Sequence, residues 1–486
     1  MLNIINWRNI YLLTIPLRVV FTLCNSYIHP DEHFQSLEVL ANKILGFETT
    51  IPWEFDSASP ARSYGPLYLV YGPILYIIQG LGLDLSPIQI WYIIRLQNCL
   101  LSWLVTDFCL YWMLPVKRER IKALFFTSTS FVTLVFQNHL FSNSIETILL
   151  VSAIYIIDDL RYIQENRDLH SVRKRTSLLV LGSLVSIGVF NRITFPAFLI
   201  LPGWYVLKYI TSHILSVIPL VFGFIIPSIA FILFDTKMYG SKEYVIAPLN
   251  NLLYNSDVEN LEVHGLHPLY THIIVNLPQI LGPGLLFMAS KRYWKTTPFL
   301  SLASGLLFLS FFPHQELRFI IPILPFCCCC FDLTPKWVSS YLIYVWYLFN
   351  LGMSLLMGVL HQGGVVPVLD YLRENNLKGT HIWWHTYSPP SWFLGSHSVE
   401  TIALDGVANT SKDFTLIDAM GSNITQLEAA LYNRDGPVYL ITPIASFQNF
   451  NTTHFKSIYN YTYHIDLDHL DINNFHLGLG VYQLIV

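Results

Sequence analysis

Charge is scarce in this chain. Only 12% of its 486 residues are Asp, Glu, Lys or Arg, about half the roughly 25% of an average soluble domain, which excludes an ordinary water-soluble globule. The 28 basic and 32 acidic side chains leave a net charge of −4. No basic surface is on offer, so no nucleic-acid partner is expected. Phosphate-cradling glycine loops are missing as well: neither G-x-x-x-x-G-K-[ST] nor G-x-G-x-x-G occurs, which argues against a soluble nucleotide substrate. Seven cysteines give little hint of a disulfide framework, because Cys24, Cys99 and Cys109 lie in apolar runs and Cys327 to Cys330 form one unbroken tract inside another. A row of four lacks the spaced pairs of a tetrahedral metal site and reads as lipid-facing or packed thiols. No small-residue cleavage site follows the first apolar run, so that run is expected to stay as a span and not to be removed as a signal peptide.

What the chain has instead is apolar length. It is 53% hydrophobic and 15% aromatic, with mean hydropathy +0.45, the composition of a polytopic membrane protein. Basic clusters at Lys117 to Lys122, Asp158 to Arg175, Lys291 to Lys295 and Lys336 mark cytoplasmic ends. With a cytoplasmic N-terminus, the first run crosses by about Ile28. The run Leu67 to Leu83 would break this pattern as a span and restores it as a Gly/Pro-interrupted interfacial helix. The expected architecture is an α-helical polytopic membrane protein of about eleven transmembrane helices with lumenal interfacial helices. Its membrane domain covers residues 1–360, with lumenal loops at 29–88 and 235–270. The region 361–486 reads as a small mixed α/β lumenal domain. It carries sequons at Asn409, Asn423, Asn451 and Asn460, candidate glycosylation sites that favour the same side as an odd number of spans.

One stretch stands out under this topology. His29, Pro30, Asp31 and Glu32 follow the first apolar run. Pro30 suits a first helical turn and the two acids suit a helix start; a catalytic carboxylate held at a membrane surface is a compatible second reading. Other polar groups fall at the same ends of the runs: Arg62; His139, Asn143 and Glu146; Asn191 and Arg192; His264, His267 and His272; His314, Gln315, Glu316 and Arg318. A carboxylate with Arg and His at one depth could deprotonate a hydroxyl while the cations neutralise a phosphate leaving group. Helical periodicity sets Phe34, Leu37, Leu40, Ala41 and Ile44 on one membrane-facing stripe, with Asp31 nearer to it than Glu32, about 100° away. Arg18, inside the first run, either pairs with an acid of a neighbouring span or snorkels to a headgroup.

These residues carry a resemblance. HPDE after the first span, HQELRF at His314 to Phe319 and FNRITFPAF at Phe190 to Phe198 resemble the signatures of glycosyltransferase family 22, multi-span mannosyltransferases of the endoplasmic reticulum with the GT-C fold. Ile193 stands where several relatives have Pro. Likeness to the members acting on GPI-anchor precursors runs almost end to end, through SYIHPDEHFQ, ARSYGPL, VHGLHPLYTHIIVNLPQI, HIWWHTYSPPSW and HIDLDHLD. The resemblance implies transfer from dolichyl-phosphate mannose to the third mannose of a trimannosyl GPI lipid precursor, giving an α-1,2-linked fourth mannose. A β-linked donor and an α product imply one inverting displacement with a single base. Asp31 is then the base and Glu32 an assisting or sugar-orienting acid. Arg318, with His314 and Arg192, faces the donor phosphate, and His29, Arg62, Glu316, His267 and Trp384 bind substrate. Phosphate is already a good leaving group, so no metal and no cofactor are expected. Endoplasmic reticulum membrane lipids are the surroundings.

Two stretches have simpler readings beside functional ones. In YHIDLDHLD, His464, Asp466 and Asp468 could hold a cation, but strand alternation favours Ile465 and Leu467 facing a core and the acids facing water. HIWWHTYSPPSW, His381 to Trp392, is either an interfacial belt or a sugar-stacking platform. The shared HPDE leaves a mannosyltransferase of the dolichol-linked N-glycan precursor as the alternative function. A transporter or scaffold fits less well, since no inverted repeat or mid-depth broken-helix pair is evident.

Overall fold

A computed structural model describes residues 4–485 apart from 167–172, 336, 337, 339, 408, 410, 435, 449, 451 and 471–473. Lys336, Asn451 and part of the basic stretch ending at Arg175 lie outside the described residues. Elements are helical through Glu374 and mixed α/β beyond it. Among the described residues, Pro87–Met113, Ile214–Tyr239 and Tyr341–Leu360 are long and apolar enough to cross a membrane. The 27 residues of Pro87–Met113 extend about 40 Å at the helical rise, beyond the roughly 30 Å of a hydrocarbon core.

Several apolar runs that hydropathy reads as single spans, near 193–209, 271–289 and 318–331, are interrupted, and proline accounts for the breaks. Residues 193–209 become a 3-10 turn at Phe195–Phe198 and a separate helix at Gly203–Ser212, after Pro196 and Pro202. Residues 271–289 break at Gly282 and Pro283. The run 318–331 begins as a 3-10 stretch, Leu317–Ile323, around Pro322. Leu67 to Leu83 is divided into Tyr64–Val70 and Gly72–Gly80, neither long enough to cross. The described helices therefore make a helical membrane fold without supplying eleven full-length spans.

The chain forms two compact units, neither of them one continuous segment. The first comprises residues up to 19, 53–70 and 97–351. Two glycines bring its helices Arg175–Asn191 and Val217–Tyr239 into backbone contact. A Cβ at Gly182 would lie 2.1 Å from the Leu220 carbonyl oxygen, and one at Gly223 would lie 2.1 Å from that of Leu179, so no larger residue fits this crossing. Arg18 is buried and pairs with Asp107 at 3.7 Å, whose other oxygen accepts from the Tyr11 hydroxyl at 2.5 Å. Pairing, not snorkelling, settles its charge. Cys327 to Cys330 are all buried, so they are packed thiols and not lipid-facing ones. Lys122 closes the end of that tract, donating to the carbonyls of Cys329 and Phe331 at 3.3 and 2.5 Å.

The second unit comprises residues 20–52, 71–96 and 352–486. Its centre is a six-stranded sheet of β1 (Gly379–Trp384), β2 (Val399–Ile402), β3 (Phe414–Met420), β4 (Val438–Pro443), β5 (Phe455–Tyr461) and β6 (Leu479–Leu484). The order is β2-β3-β1-β4-β6-β5, with β2, β3, β1 and β4 mutually parallel and β6 antiparallel to both its neighbours, β4 and β5. Ile382, Ile417 and Leu440 on one face pack against Leu427 and Leu431 of helix Ile424–Tyr432. The segment after HPDE departs from the expected stripe. Its helix is broken at Gln35 and Ser36 into Asp31–Phe34 and Leu37–Leu40, followed by a π turn, Ala41–Leu45. Leu37, Leu40, Ala41 and Ile44 are buried inside the unit instead of facing lipid. The expected strand at HIDLDHLD is likewise a single bridge between His361 and Ile465. His464 and Asp466 are buried there and Asp468 alone of the three is exposed, so the acids do not all face water.

Candidate active site

Pro30 sits at the N-cap of the four-residue helix Asp31–Phe34, which puts Asp31 and Glu32 in the first turn as the helix-start reading requires. The two carboxyls then part company. Asp31 is 23% exposed and receives a hydrogen bond from Gln35, one helical turn on. The His29 Nδ1 accepts the Asp31 backbone N–H at 3.2 Å. The same nitrogen lies 3.5 Å from Asp31 Oδ1. Glu32 has no exposed surface. Burial pushes its carboxyl up from the ordinary range, and the charges of His33 and Arg95 and the Ile28 backbone pull it part-way back. Within the pair, Asp31 is the carboxyl open to a substrate.

The turn rests on an aromatic wall. The His33 ring lies 4.9 Å from Tyr27, 5.3 Å from Phe393, 6.0 Å from Trp91 and 6.5 Å from Trp392. Glu38, fully buried, holds that wall in place. Its Oε1 accepts the N–H groups of Thr50 and Ser391 at 3.1 Å each, together with the Ser391 hydroxyl. Its Oε2 accepts the Trp392 N–H at 3.3 Å. Burial pushes Glu38 up to about 7, against the pull of those hydrogen bonds. Arg95 is also fully buried; it stacks on Trp91 at 4.5 Å and donates to the Cys24 carbonyl at 2.6 Å.

The cationic candidates fall in the first unit. Arg318 makes a two-pronged contact to Glu316, with Nε at 2.5 Å and Nη2 at 2.8 Å. His314 Nε2 meets the same carboxylate at 2.7 Å. Burial pulls the His314 imidazole down, but its bonds to Glu316 and to the Gly265 carbonyl outweigh this and hold it above its ordinary value. Arg192 lies 3.4 Å from the buried Glu146 and donates to Ser142 at 3.0 Å. The guanidinium groups of Arg192 and Arg318 both lie against the Phe319 ring, at 4.9 and 5.7 Å. Arg62 pairs with Glu54 at 3.0 Å and reaches the Asn191 carbonyl at 3.4 Å. His267 Nδ1 accepts the Gln315 N–H at 3.3 Å, and Gln315 accepts the His272 N–H at 2.9 Å. The side chain of His264 lies outside the described residues.

Trp384 belongs elsewhere. It is 3% exposed, packs edge-on against Phe450 in the sheet core, and donates its indole N–H to the Ser422 carbonyl at 2.9 Å. Trp383 and Trp392 are fully buried too, so the aromatic run offers no open indole face to a sugar. Among the described residues, no three His, Cys, Asp or Glu side chains are grouped as a metal ion would need.

A sequence profile of the Alg9-like mannosyltransferase family matches residues 9–395. The chain belongs to that family. This mannosyltransferase is a glycosyltransferase enzyme, and its HPDE turn lies within the matched region. It is similar to GPI mannosyltransferase 4 of Candida albicans, 58% identical over 99% of both chains, and to GPI mannosyltransferase 4 of Saccharomyces cerevisiae, 40% identical over 94% of this chain and 95% of that one. The crystal structure of ArnT from Cupriavidus metallidurans in the apo state matches over 98% of both chains with a TM-score of 0.50 at 10% identity. That likeness concerns the fold, which is of the expected GT-C type.

Sequence reasoning about the family member gave no role to Gln35, Glu38 or Arg95. Each left a signal. Gln35 stands four residues after Asp31, Glu38 is an acid inside an apolar stripe, and Arg95 is a charge inside the apolar helix Pro87–Met113.

Proposed function

We propose that this mannosyltransferase adds an α-1,2-linked fourth mannose from dolichyl-phosphate mannose to the third mannose of a GPI-anchor precursor, by inversion, at the lumenal face of the endoplasmic reticulum membrane. Near full-length likeness to GPI mannosyltransferases 4 is the observation that carries the acceptor. The proton leaves the acceptor hydroxyl for Asp31, which is partly exposed, held by Gln35 and flanked by His29. As the bond from mannose C1 to the phosphate oxygen breaks, negative charge grows on dolichyl phosphate. Arg318 and His314, with Arg192, supply the cations for that charge, and Glu316 keeps the first two oriented until phosphate competes for them. Arg62 and His267 belong to the same first-unit polar group as candidate substrate contacts. Glu32 acts from behind as a buried acid tied electrostatically to Arg95. The step needs no metal, because phosphate departs as a stabilised anion. We assign the N-terminus to the cytoplasm and the second unit's sheet to the lumen, where Asn409, Asn423 and Asn460 are exposed glycosylation candidates.

The test is accumulation of GPI precursors in cells depleted of the protein and supplied with wild type or Asp31→Asn. Accumulation of a trimannosyl lipid, cured by wild type alone, is expected. Full rescue by Asp31→Asn would remove Asp31 as the base; shortened N-glycan precursors with normal GPI lipids would transfer the enzyme to the dolichol-linked oligosaccharide instead.

A further inference from the structure

The family profile stops at residue 395, whereas the two GPI mannosyltransferases 4 align over 99% and 94% of the chain. The segment beyond residue 395 is therefore shared with those relatives past the reach of the wider family profile. Within the second unit, part of that extra chain returns to the HPDE turn. Ile465 donates its N–H to the Leu360 carbonyl at 2.9 Å and accepts the Gln362 N–H at 3.0 Å. The Tyr27 N–H, two residues before His29, donates to the His361 carbonyl at 3.2 Å. This docking leaves Asp468 exposed, with its carboxylate near enough to the Tyr387 hydroxyl to oppose that group's ionisation. The Tyr387 ring in turn lies 6.3 Å from His29, 5.4 Å from His361 and 5.7 Å from Tyr27. Behind it, buried His361 and His464 each keep one ring nitrogen, Nδ1 and Nε2 respectively, without a hydrogen-bond partner among the described residues. Such nitrogens are what a water or a substrate hydroxyl would satisfy.

We propose that Asp468 and Tyr387 bind the acceptor sugar beside Asp31 and so determine which glycan is mannosylated. A carboxylate accepts from a sugar hydroxyl, and the tyrosine ring offers an apolar face to the C–H side of a pyranose. The family profile contains the HPDE turn and ends before Asp468, whereas the Candida albicans relative aligns over 99% of the chain, through this tail. The inference rests on the functional reading above.

The experiment uses membranes containing the full chain as the sole copy, radiolabelled dolichyl-phosphate mannose and a synthetic trimannosyl GPI glycolipid. Loss of a charge-assisted hydrogen bond to the sugar in Asp468→Asn raises the acceptor KM about tenfold or more. The donor KM and kcat at saturating acceptor stay within about twofold. Tyr387→Phe, which removes only the hydroxyl, gives a smaller rise of the same kind. Because Asp468 is exposed, its substitution leaves the fold intact, and an unchanged donor KM verifies this. An acceptor KM unchanged in both variants, or a fall confined to kcat, overturns the proposal. If wild type mannosylates an oligosaccharyl dolichol and not the glycolipid, the functional reading fails, and the same KM comparison on that acceptor still decides the role of Asp468.

Discussion

Glu38 lends itself to a pH-resolved test. Its carboxyl titrates near 4.5 in the unfolded chain and at about 7 in the fold, because burial outweighs the four hydrogen bonds it accepts. Between those values the folded state holds a proton that the unfolded state has released. Stability from this group is therefore full below pH 4.5 and declines as pH rises to about 7. At about 1.4 kcal/mol for each pH unit separating the two values, the decline amounts to about 3 kcal/mol. Glu38→Gln removes the titration. Its amide oxygen can replace Oε1, but its NH2 then confronts the Trp392 N–H that Oε2 accepts, and an orphaned buried amide costs about 1–3 kcal/mol. The variant should thus unfold at lower temperature than wild type at about pH 5, and the gap should close or reverse by about pH 8. Thermal unfolding of the purified protein in detergent, scanned across that range, reads the difference. Other buried carboxyls, Glu32 and Asp466 among them, act in both proteins alike and cancel. Parallel wild-type and variant curves would refute the reasoning, since Glu38 would then be ionised at every pH tested.

Two more outcomes rest on charge. Arg18→Ala leaves Asp107 buried without its cation and should destabilise the protein by about 3–5 kcal/mol; the double variant Arg18→Met, Asp107→Leu should lose less, as read by detergent unfolding, and equal losses would mean the pair is not coupled. Chelation with EDTA should leave mannosyl transfer unchanged, because in the proposed mechanism Asp31 takes the proton and Arg318, His314 and Arg192 supply the countercharge; loss of activity restored by a divalent cation would require a metal in the mechanism.

The parts of the fold legible in the sequence were those fixed by local chemistry. Pro30 predicts the helix start, which is present, and of the two readings of Arg18, an acid on another helix or a snorkel to a headgroup, the first is the one present. The run from Leu67 was legible as a non-span because counting it as one would move the basic cluster Lys117 to Lys122 to the wrong side. Span lengths were less legible, because hydropathy averages over a window and does not register Pro196, Pro283 or Pro322, each of which removes a helical hydrogen bond where it stands. Asp466 illustrates a different limit: period-two alternation turns the acids outward only if the segment is a strand, and one bridge at Ile465 replaces that strand.

The carboxylates of HPDE show why a site is harder to read than a fold. Helical rotation separates Asp31 from Glu32, and on that argument the acid nearer the apolar stripe meets the lipid-borne substrate. The two acids do differ, but for another reason: the stripe faces inward, the helix ends after one turn, and long-range packing by Tyr27, Trp91, Trp392 and Phe393 encloses His33 beside Glu32. The contacts of His33 with Trp392 and Phe393 join residues separated by more than three hundred positions, and no periodicity within a dozen residues encodes them. The wall that Glu38 secures is therefore what selects the exposed carboxyl. Altering Glu38 should disturb Asp31 through the position of the turn without changing the chemistry of the carboxyl itself.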